Sequence, residues 1–333
     1  MKKKMMRILI VAIVLCMTVV VFASCGTANQ SSGGTKDLAD VHIGYVQAGP
    51  EPYYQTSANG AIAAGEKVGI KMTVLNSEST PSKEMSNVQD LIAMKVDAII
   101  VFTTNSDSAQ EEAKLANEAN IPFFVIGSAA AEGEGKVTAT IKPDFLELSG
   151  LAGKYVAENY PDAKIGIIEG MLGQQIAEFF TQGFVDNLAD TNEVVEQKSA
   201  DWSRDNAMSI TQDWITAGVP LDMIYVHNED MAAGVVQALK EANKLNDIKV
   251  VSTNGSPEGL IMLEAGELLA TANESPSMES AMGVKVALDA IFGKPVESEV
   301  KPPIKLLTKD NIDEVISWGP ECVDLIDWGE YVQ

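Results

Sequence analysis

The sequence predicts an α/β protein made of two doubly wound lobes with parallel sheets, joined by a three-segment hinge. Apolar runs of strand length alternate along the chain with amphipathic stretches of helix length, as they do in βα units. Ten such strand candidates are too many for one compact open sheet, whereas two lobes suit a chain of 333 residues.

The N-terminal segment has the pattern of an export signal. Basic residues at the start are followed by the apolar run Ile8–Phe22 and then by small residues. A membrane-spanning helix needs roughly 20 apolar residues, which is more than this run supplies. The segment ending at Cys25 resembles a bacterial lipobox, which implies that 1–24 is a signal peptide and that Cys25 carries a lipid. Secretion without a lipid is the alternative. The small, polar residues 25–37 are predicted to form a flexible linker.

Charge and cysteine content narrow the choice of partners. The net charge is −23, and removing residues 1–24 takes away four positive charges and no acidic residue, which leaves −27. Nucleic-acid binding requires a basic surface, so no nucleic-acid partner is expected. Cys16 would leave with the signal and Cys25 would be lipidated, so Cys322 has no partner for a disulfide.

The strand candidates are short, and several are continuously apolar, which is typical of strands buried on both faces of a parallel sheet. They are His42–Gln47, Lys71–Leu75, Ala98–Phe102, Pro122–Ile126, Ala139–Ile141, Lys164–Ile168, Glu193–Lys198, Met223–Val226, Lys249–Ser252 and Leu269–Ala272. The helix candidates between them repeat apolar residues at a 3.6-residue spacing. They are Ser82–Met94, Ser108–Ala119, Glu147–Tyr160, Ile176–Leu188, Arg204–Ala217, Met231–Ala242 and Met278–Phe292.

These elements predict where the lobes divide. Residues 38–141 together with 275–303 would form the N-terminal lobe, and residues 142–274 together with 304–333 would form the C-terminal lobe. Three crossovers are expected, near Ile141–Asp144, Glu274–Pro276 and Pro302–Ile304. The aromatic residues Trp318, Trp328 and Tyr331 indicate that the end of the chain packs on the second lobe.

Ligands of open α/β sheets bind beyond the carboxyl ends of the strands, so the residues there are the candidate site. Tyr53 and Tyr54 follow the first strand, and Trp202 follows the seventh. Their rings could stack on a sugar or attract a cation, or they could belong to the core. Gly127 and Ser128 follow the fourth strand and offer close backbone approach and a hydroxyl, or simply a turn.

Four further polar side chains join the candidate set, each with a structural alternative. Glu178 could point into the cleft from its helix or stay in solvent. Asn228 could reach a ligand or only cap a helix, and Asn254 could do the same or only form a tight turn. Glu274 follows the last strand of the second series, close to a crossover.

The sequence supplies no catalytic set. His42 and His227 are the only histidines; no spacing fits a zinc site, a Ser-His-acid triad or a calcium loop. A dinucleotide or phosphate-loop motif is also absent from the glycine-containing segment Gly170–Gln175. We therefore expect a binding protein without metal or cofactor, and no enzyme.

The chain resembles the ribose-type periplasmic sugar-binding proteins, the type I solute-binding proteins of ABC importers, over nearly all of residues 38–310. The segments that carry the resemblance are Ser82–Ile92, Ala116–Pro122, Asn228–Gly234 and Asn254–Gly259. The resemblance implies an extracytoplasmic monomer that hands a small solute to a membrane permease, or presents it to a sensor. The family's binding positions match Glu51, Tyr53, Tyr54, Trp202, Asn228, Asn254 and Glu274.

Two positions depart from the family. Gly127-Ser128 stands where the family has an Asp-Arg pair, and Glu178 stands where it has an arginine. Two ligand classes therefore remain open. A sugar or polyol would donate its hydroxyl protons to Glu51, Glu178 and Glu274 while the rings stack. A cationic amine would instead be held by the same carboxylates inside an aromatic box.

Overall fold

The structure, a computed structural model, describes residues 36–103 and 105–332. Within them the chain folds around two six-stranded sheets. The predicted signal peptide, the lipidation site Cys25 and residues 25–35 of the predicted linker lie outside the described residues. None of the helices in the described part is long and apolar enough to cross a membrane.

The strands and helices alternate for most of the chain, as βα units require. The strands are β1 (His42–Gln47), β2 (Lys71–Asn76), β3 (Ala98–Phe102), β4 (Phe123–Ile126), β5 (Ala139–Ile141), β6 (Lys164–Glu169), β7 (Glu193–Ser199), β8 (Met223–Val226), β9 (Lys249–Asn254), β10 (Ala270–Asn273), β11 (Glu299–Val300) and β12 (Lys305–Thr308). The α-helices are α1 (Pro52–Val68), α2 (Pro81–Ala93), α3 (Ser106–Glu118), α4 (Phe145–Asn159), α5 (Gln175–Val185), α6 (Arg204–Ala217), α7 (Glu229–Glu241), α8 (Pro257–Glu264) and α9 (Pro276–Ile291).

Each sheet forms the centre of one lobe. The first has the order β11-β5-β4-β3-β1-β2, and all its neighbouring strands are parallel. The second has the order β12-β10-β9-β8-β6-β7 and is parallel except for β12, which runs antiparallel to β10. The two-lobed α/β architecture with predominantly parallel sheets is therefore as the sequence predicts.

Burial follows the position of each strand in its sheet. Every residue of β3 and of β8, which lie inside their sheets, is buried because helices cover both faces. The edge strand β7 has no buried residue and carries glutamate and lysine, so its apolar pattern is weaker than that of the inner strands. The strong apolar runs predicted from the sequence are thus the inner strands.

The predicted elements agree with the observed ones to within a few residues at their ends, and four of the strands and α-helices in the described residues were not predicted. Two are the helices α1 and α8. The helix α1 is rich in alanine and glycine, and its buried face consists of small residues, so it lacks a strong apolar stripe. The other two are the short strands β11 and β12, whose residues lie around the third crossover.

The end of the chain packs on the first lobe and not, as predicted, on the second. After Val315 the chain leaves the second lobe, and Cys322, Val323, Trp328 and Tyr331 are buried in the core of the first lobe. The Trp328 indole donates to the carbonyl of Val323 at 2.8 Å, and the Tyr331 hydroxyl donates to Asp289 on α9 at 2.9 Å. These aromatic residues do fix the tail, but on the opposite lobe from the predicted one.

The chain consequently passes between the lobes four times in the described part, rather than three. The first three passages follow β5, β10 and β11, and the fourth follows Val315. Asn273, at the end of β10, holds the fourth passage in place: its Oδ1 accepts from the Ile316 N–H at 2.7 Å and its Nδ2 donates to the Ile316 carbonyl at 3.3 Å. The second and fourth passages therefore lie side by side.

Candidate ligand-binding site

The candidate site lies where the carboxyl ends of strands lead into loops and helix starts. In the first lobe Tyr53 follows β1, Phe102 ends β3 and Gly127 follows β4. In the second lobe Asn254 ends β9, and Glu274 follows β10 at the second passage. Because parallel strands present their carboxyl ends at one edge of the sheet, side chains from distant positions in the sequence meet there.

Four aromatic side chains form a cluster on the first-lobe side, which we call the aromatic cluster: Tyr53, Tyr54, Phe102 and Trp318. Pro52 begins α1, so the two tyrosines occupy its first turn. The Tyr53 ring meets those of Tyr54, Phe102 and Trp318 edge to face, at centroid distances of 5.8, 6.0 and 5.5 Å. These contacts orient the rings before any ligand arrives.

Glu274 connects the two lobes through hydrogen bonds. Its Oε1 accepts from the Tyr53 hydroxyl at 3.1 Å and from Asn254 Nδ2 at 3.4 Å. Burial raises the pKa of the Glu274 carboxyl to about 8, although the hydrogen bond from Tyr53 favours the charged form. A first-lobe phenol and a second-lobe amide thus meet at one buried carboxyl.

Glu279, in the first turns of α9, is a second buried carboxyl beside the loop after β4. Its Oε1 accepts from the Gly127 N–H at 2.9 Å, and burial raises its pKa well above the usual range for glutamate. Gly127 has φ +72°, and a Cβ there would overlap the Phe102 ring. Glycine is therefore required at this position, both for its backbone conformation and for the space that Phe102 occupies.

Four buried oxygens around this junction have no hydrogen-bond partner. They are Ser128 Oγ, Asn254 Oδ1, Glu274 Oε2 and Glu279 Oε2. Buried polar atoms in folded proteins nearly always have partners, because losing water without replacing its hydrogen bonds costs about 1–3 kcal/mol per group. The hydrogen-bonding capacity of these four atoms is available to a bound molecule.

Trp202 lies at the carboxyl end of β7, on the second-lobe side. It adopts the left-handed conformation with φ +60°, and its indole N–H donates to Gln174 Oε1 at 2.7 Å. Its ring covers Gly170 so closely that a Cβ at that position would overlap it. The ring is therefore fixed by a hydrogen bond at one end and by the backbone after β6 along one side.

Comparison with known proteins places the chain in a family. A family model described as a periplasmic binding protein domain matches residues 45–295, which is most of the chain. The chain is a member of the periplasmic binding proteins.

Its relatives and structural neighbours are solute-binding proteins. The ribose import binding protein of Escherichia coli (strain K12) is 30% identical over 260 residues, which cover 78% of this chain and 87% of that protein. The fructose import binding protein of Bifidobacterium longum (strain NCC 2705) is 29% identical over 291 residues, covering 84% and 87%. A crystal structure of an ABC transporter solute-binding protein from Bacillus halodurans C-125 with bound myo-inositol has a TM-score of 0.74 and 26% identity, covering 84% of this chain and 98% of that one.

Asn228 of this periplasmic binding protein caps a helix, which is the structural alternative that the sequence left open. Its Oδ1 accepts from the Met231 N–H at 2.9 Å and caps α7. Next to it, His227 is fully buried: Nδ1 accepts from the Gly170 N–H at 3.1 Å, and Nε2 lies 3.2 Å from Thr181 Oγ1. Burial lowers the pKa of His227 to about 3, so the imidazole is neutral and holds the loops after β6 and β8 together.

The predicted trio of carboxylates is not assembled. Glu51 is exposed and accepts from the Ser79 hydroxyl at 3.2 Å, and Glu178 is exposed on α5. Of the three predicted acceptors, Glu274 alone is buried at the junction of the lobes. The reason lies in helix geometry: Ala177 and Phe180 bury the face of α5 that packs on the sheet, and the intervening Glu178 is left in solvent.

Two residues of the junction, Glu279 and Trp318, were missed by the sequence analysis. Glu279 is the second charged residue after β10 and could have been noticed because it interrupts a segment of small and apolar residues. Trp318 was assigned to the tail on the other lobe. It instead meets Tyr53 and donates its indole N–H to the Glu274 carbonyl at 2.7 Å. In the described residues, no group of three or more histidine, cysteine, aspartate or glutamate side chains could hold a metal ion.

Proposed function

We propose that this chain captures a sugar or polyol between its lobes and delivers it to an ABC importer in the cell membrane. The observation that carries the proposal is the group of buried, unpartnered oxygens beside the aromatic cluster. Hydroxyl groups of the ligand would donate to these oxygens, while its C–H faces lie against the rings. The ribose, fructose and myo-inositol named for the relatives support a polyhydroxylated ligand.

Capture would proceed by hinge closure. A ligand bound to one lobe supplies hydrogen-bond partners to the other, so it stabilises the closed arrangement over the open one. The hydrogen bond from Tyr53 of the first lobe to Glu274 spans the lobes and would open or re-form during this motion. Small-angle X-ray scattering should show a smaller radius of gyration when ligand is added; an unchanged radius at saturating ligand would contradict closure.

The ligand class is tested by a thermal-shift screen of the purified protein with pentoses, hexoses, alditols and inositols, followed by calorimetry. We expect at least one member to bind, and mass spectrometry should recover it chemically unchanged, as for a carrier and not an enzyme. Trp202→Ala should weaken binding at least about tenfold, as removal of a stacked ring does. Failure of every sugar and polyol to bind would refute the proposal.

Export and anchoring form a separate part of the proposal. The basic start, the apolar run and Cys25 would direct the chain across the membrane, and a lipid on Cys25 would hold it at the outer side. Cells fed an alkyne-tagged fatty acid should label the wild-type chain and retain it in the membrane fraction. Cys25→Ser should abolish the label; an unlabelled wild-type chain in the medium would favour ordinary secretion.

A further inference from the structure

Two buried carboxyls at the junction form no ion pair in the described residues, although the charge of Lys142 favours the charged form of Glu279. Glu274 and Glu279 are 2% and 0% exposed, and each uses one oxygen within the protein and leaves the other unpartnered. No lysine, arginine or histidine in the described residues forms an ion pair with either carboxyl. Beside a neutral sugar both carboxyls would have to stay protonated, because an uncompensated negative charge is costly in a buried site, whereas a cation would allow them to ionise.

Both carboxyls face the same region of the site. The Tyr53 hydroxyl donates to Glu274; burial raises the pKa of the Tyr53 phenol well above its usual range, and the charges of Glu274 and Glu279 raise it further. Asn254 is hydrogen-bonded to Glu274, and Ser128 follows Gly127, whose N–H donates to Glu279. Tyr53, Glu274 and Asn254 are thus joined by hydrogen bonds, and Glu279 lies close enough to Tyr53 to act on it through its charge.

From these contacts we infer that the preferred ligand is an amino-substituted sugar or polyol whose ammonium group is bound by Glu274 and Glu279. This inference rests on the proposed function and specifies its substrate class. A primary ammonium has three N–H donors and no acceptor. Three of the unpartnered atoms, Glu274 Oε2, Glu279 Oε2 and Asn254 Oδ1, are acceptors that match those donors in number, and Ser128 Oγ remains for a hydroxyl group.

The surroundings of the two carboxyls favour a cation further. Tyr53 and Trp318 contact Glu274, and aromatic faces attract ammonium groups.

The inference is tested with matched pairs of probes: D-glucose with D-glucosamine, D-galactose with D-galactosamine, and myo-inositol with an aminodeoxyinositol. In at least one pair the amino compound should bind at least about tenfold more tightly than its neutral partner, because a charge-assisted hydrogen bond is stronger by about 1.4 kcal/mol. N-acetylglucosamine, which has the nitrogen but no charge, should lose the advantage.

Proton release provides a second measurement. The free protein keeps a proton on Glu274 near neutral pH, and an ammonium group would displace it, so amine binding should release protons whereas neutral binding should not. The other titratable groups facing this region are Tyr53, Tyr54, Glu229 and Lys142. Calorimetry in two buffers of different ionisation enthalpy measures the number of protons released.

Variants test whether the preference for the amino compound depends on the two carboxyls. Glu279→Gln keeps the shape of the side chain but removes its charge, so it should reduce the affinity for the amino compound about tenfold more than the affinity for its neutral partner. Glu264→Gln, an exposed glutamate on α8, is the matched control and should leave the preference unchanged. Circular dichroism and thermal unfolding verify that each variant is folded.

The outcomes separate this inference from the proposed function. Neutral members that bind as tightly as, or more tightly than, their amino partners would overturn the inference and leave sugar or polyol capture intact. A preference for amines that survives in Glu279→Gln and in Glu274→Gln would overturn the assignment to these carboxyls. If no member of any pair binds while another sugar or polyol of the wider screen does, the inference fails and the proposed function stands; if no sugar or polyol binds at all, both fail.

Discussion

Single side chains determine how the two lobes are connected in this protein. Glu274 receives hydrogen bonds from Tyr53 of the first lobe and Asn254 of the second, and its backbone carbonyl receives one from Trp318. Three separate stretches of sequence thus converge on one buried acidic residue. A change at any of these positions should affect both the affinity for ligand and the stability of the junction.

Replacing Tyr53 with phenylalanine tests the role of its hydroxyl. Tyr53→Phe keeps the ring contacts but removes a hydrogen bond to Glu274, so the free energy of unfolding should fall by about 1 kcal/mol and ligand affinity should fall as well. Isothermal calorimetry and urea denaturation measure the two effects. Tyr54→Phe is the matched control, since it keeps a ring that meets Phe102 at 5.0 Å, and it should have a smaller effect. Equal effects of both variants would contradict the role given to the Tyr53 hydroxyl.

The limits of sequence analysis are also clearest at single residues. The aromatic residues and Glu274 could be selected because they follow strands, and strand ends meet at one edge of a sheet. Glu51 and Glu178 satisfied the same criterion but are exposed, because the rotation of a side chain about its helix is not fixed by its distance from the strand. Glu279 was missed because it lies inside a helix, where a carboxylate is usually solvated.

Among the elements, α7 shows how a cap and a binding residue can be distinguished. Asn228→Ala removes the side-chain acceptor of the Met231 N–H and should lower the free energy of unfolding by about 1 kcal/mol. Asn228→Asp keeps a capping oxygen and should retain stability. If Asn228 also contacts ligand through its amide, Asn228→Asp should still lose affinity in calorimetric titrations; full affinity in Asn228→Asp would limit Asn228 to capping.

The C-terminal segment after Val315 gives a second test at the level of elements. Trp328 is 4% exposed and buried in the first-lobe core, so Trp328→Ala should lower the free energy of unfolding by about 3–5 kcal/mol. Guanidinium or urea denaturation measures the loss. Leu325→Ala in the same segment is the control, because Leu325 is 67% exposed and should change stability little. A small loss in Trp328→Ala would show that the segment does not stabilise the first lobe.

The elements that the sequence did not predict lack a distinctive hydrophobic pattern. The strong apolar periodicity of inner strands such as β3 and β8 reflects burial on both faces and can be read from sequence. The helix α1 buries small residues, and β11 pairs over only two residues, so neither has a distinctive pattern. The location of Trp328 depends on which lobe offers a complementary surface, and sequence periodicity contains no such information.

The whole molecule should become less stable as pH rises above neutrality. Burial raises the pKa of Glu229 to about 7 and of Glu274 to about 8, so the folded state binds more protons than the unfolded state until those values are passed. The lowered pKa of His227, about 3, acts in the opposite direction only below about pH 6.5, where an unfolded histidine becomes protonated.

Between about pH 6.5 and pH 8.5 the ligand-free protein should therefore lose at least about 2 kcal/mol of unfolding free energy, because Glu112, whose pKa burial raises to about 9, adds to the loss from Glu229 and Glu274. Urea denaturation at several pH values measures the slope. Glu274→Gln should flatten the dependence, because the amide does not ionise. A stability that stays constant or rises across this interval would be inconsistent with protonated glutamates in the folded core.

The fourth passage of the chain has a mechanical consequence. Leu38, near the start of the described residues, packs against the same core as Tyr331, near their end, so both ends belong to the first lobe. Pulling on the two ends would load the first lobe alone and leave the second unstretched. Labels at Leu38 and Tyr331 would both report on the first lobe, so a label on the second lobe is needed to follow the proposed hinge motion. The proposed hinge motion would have to bend four backbone segments together, which limits its amplitude more than a hinge of one segment would.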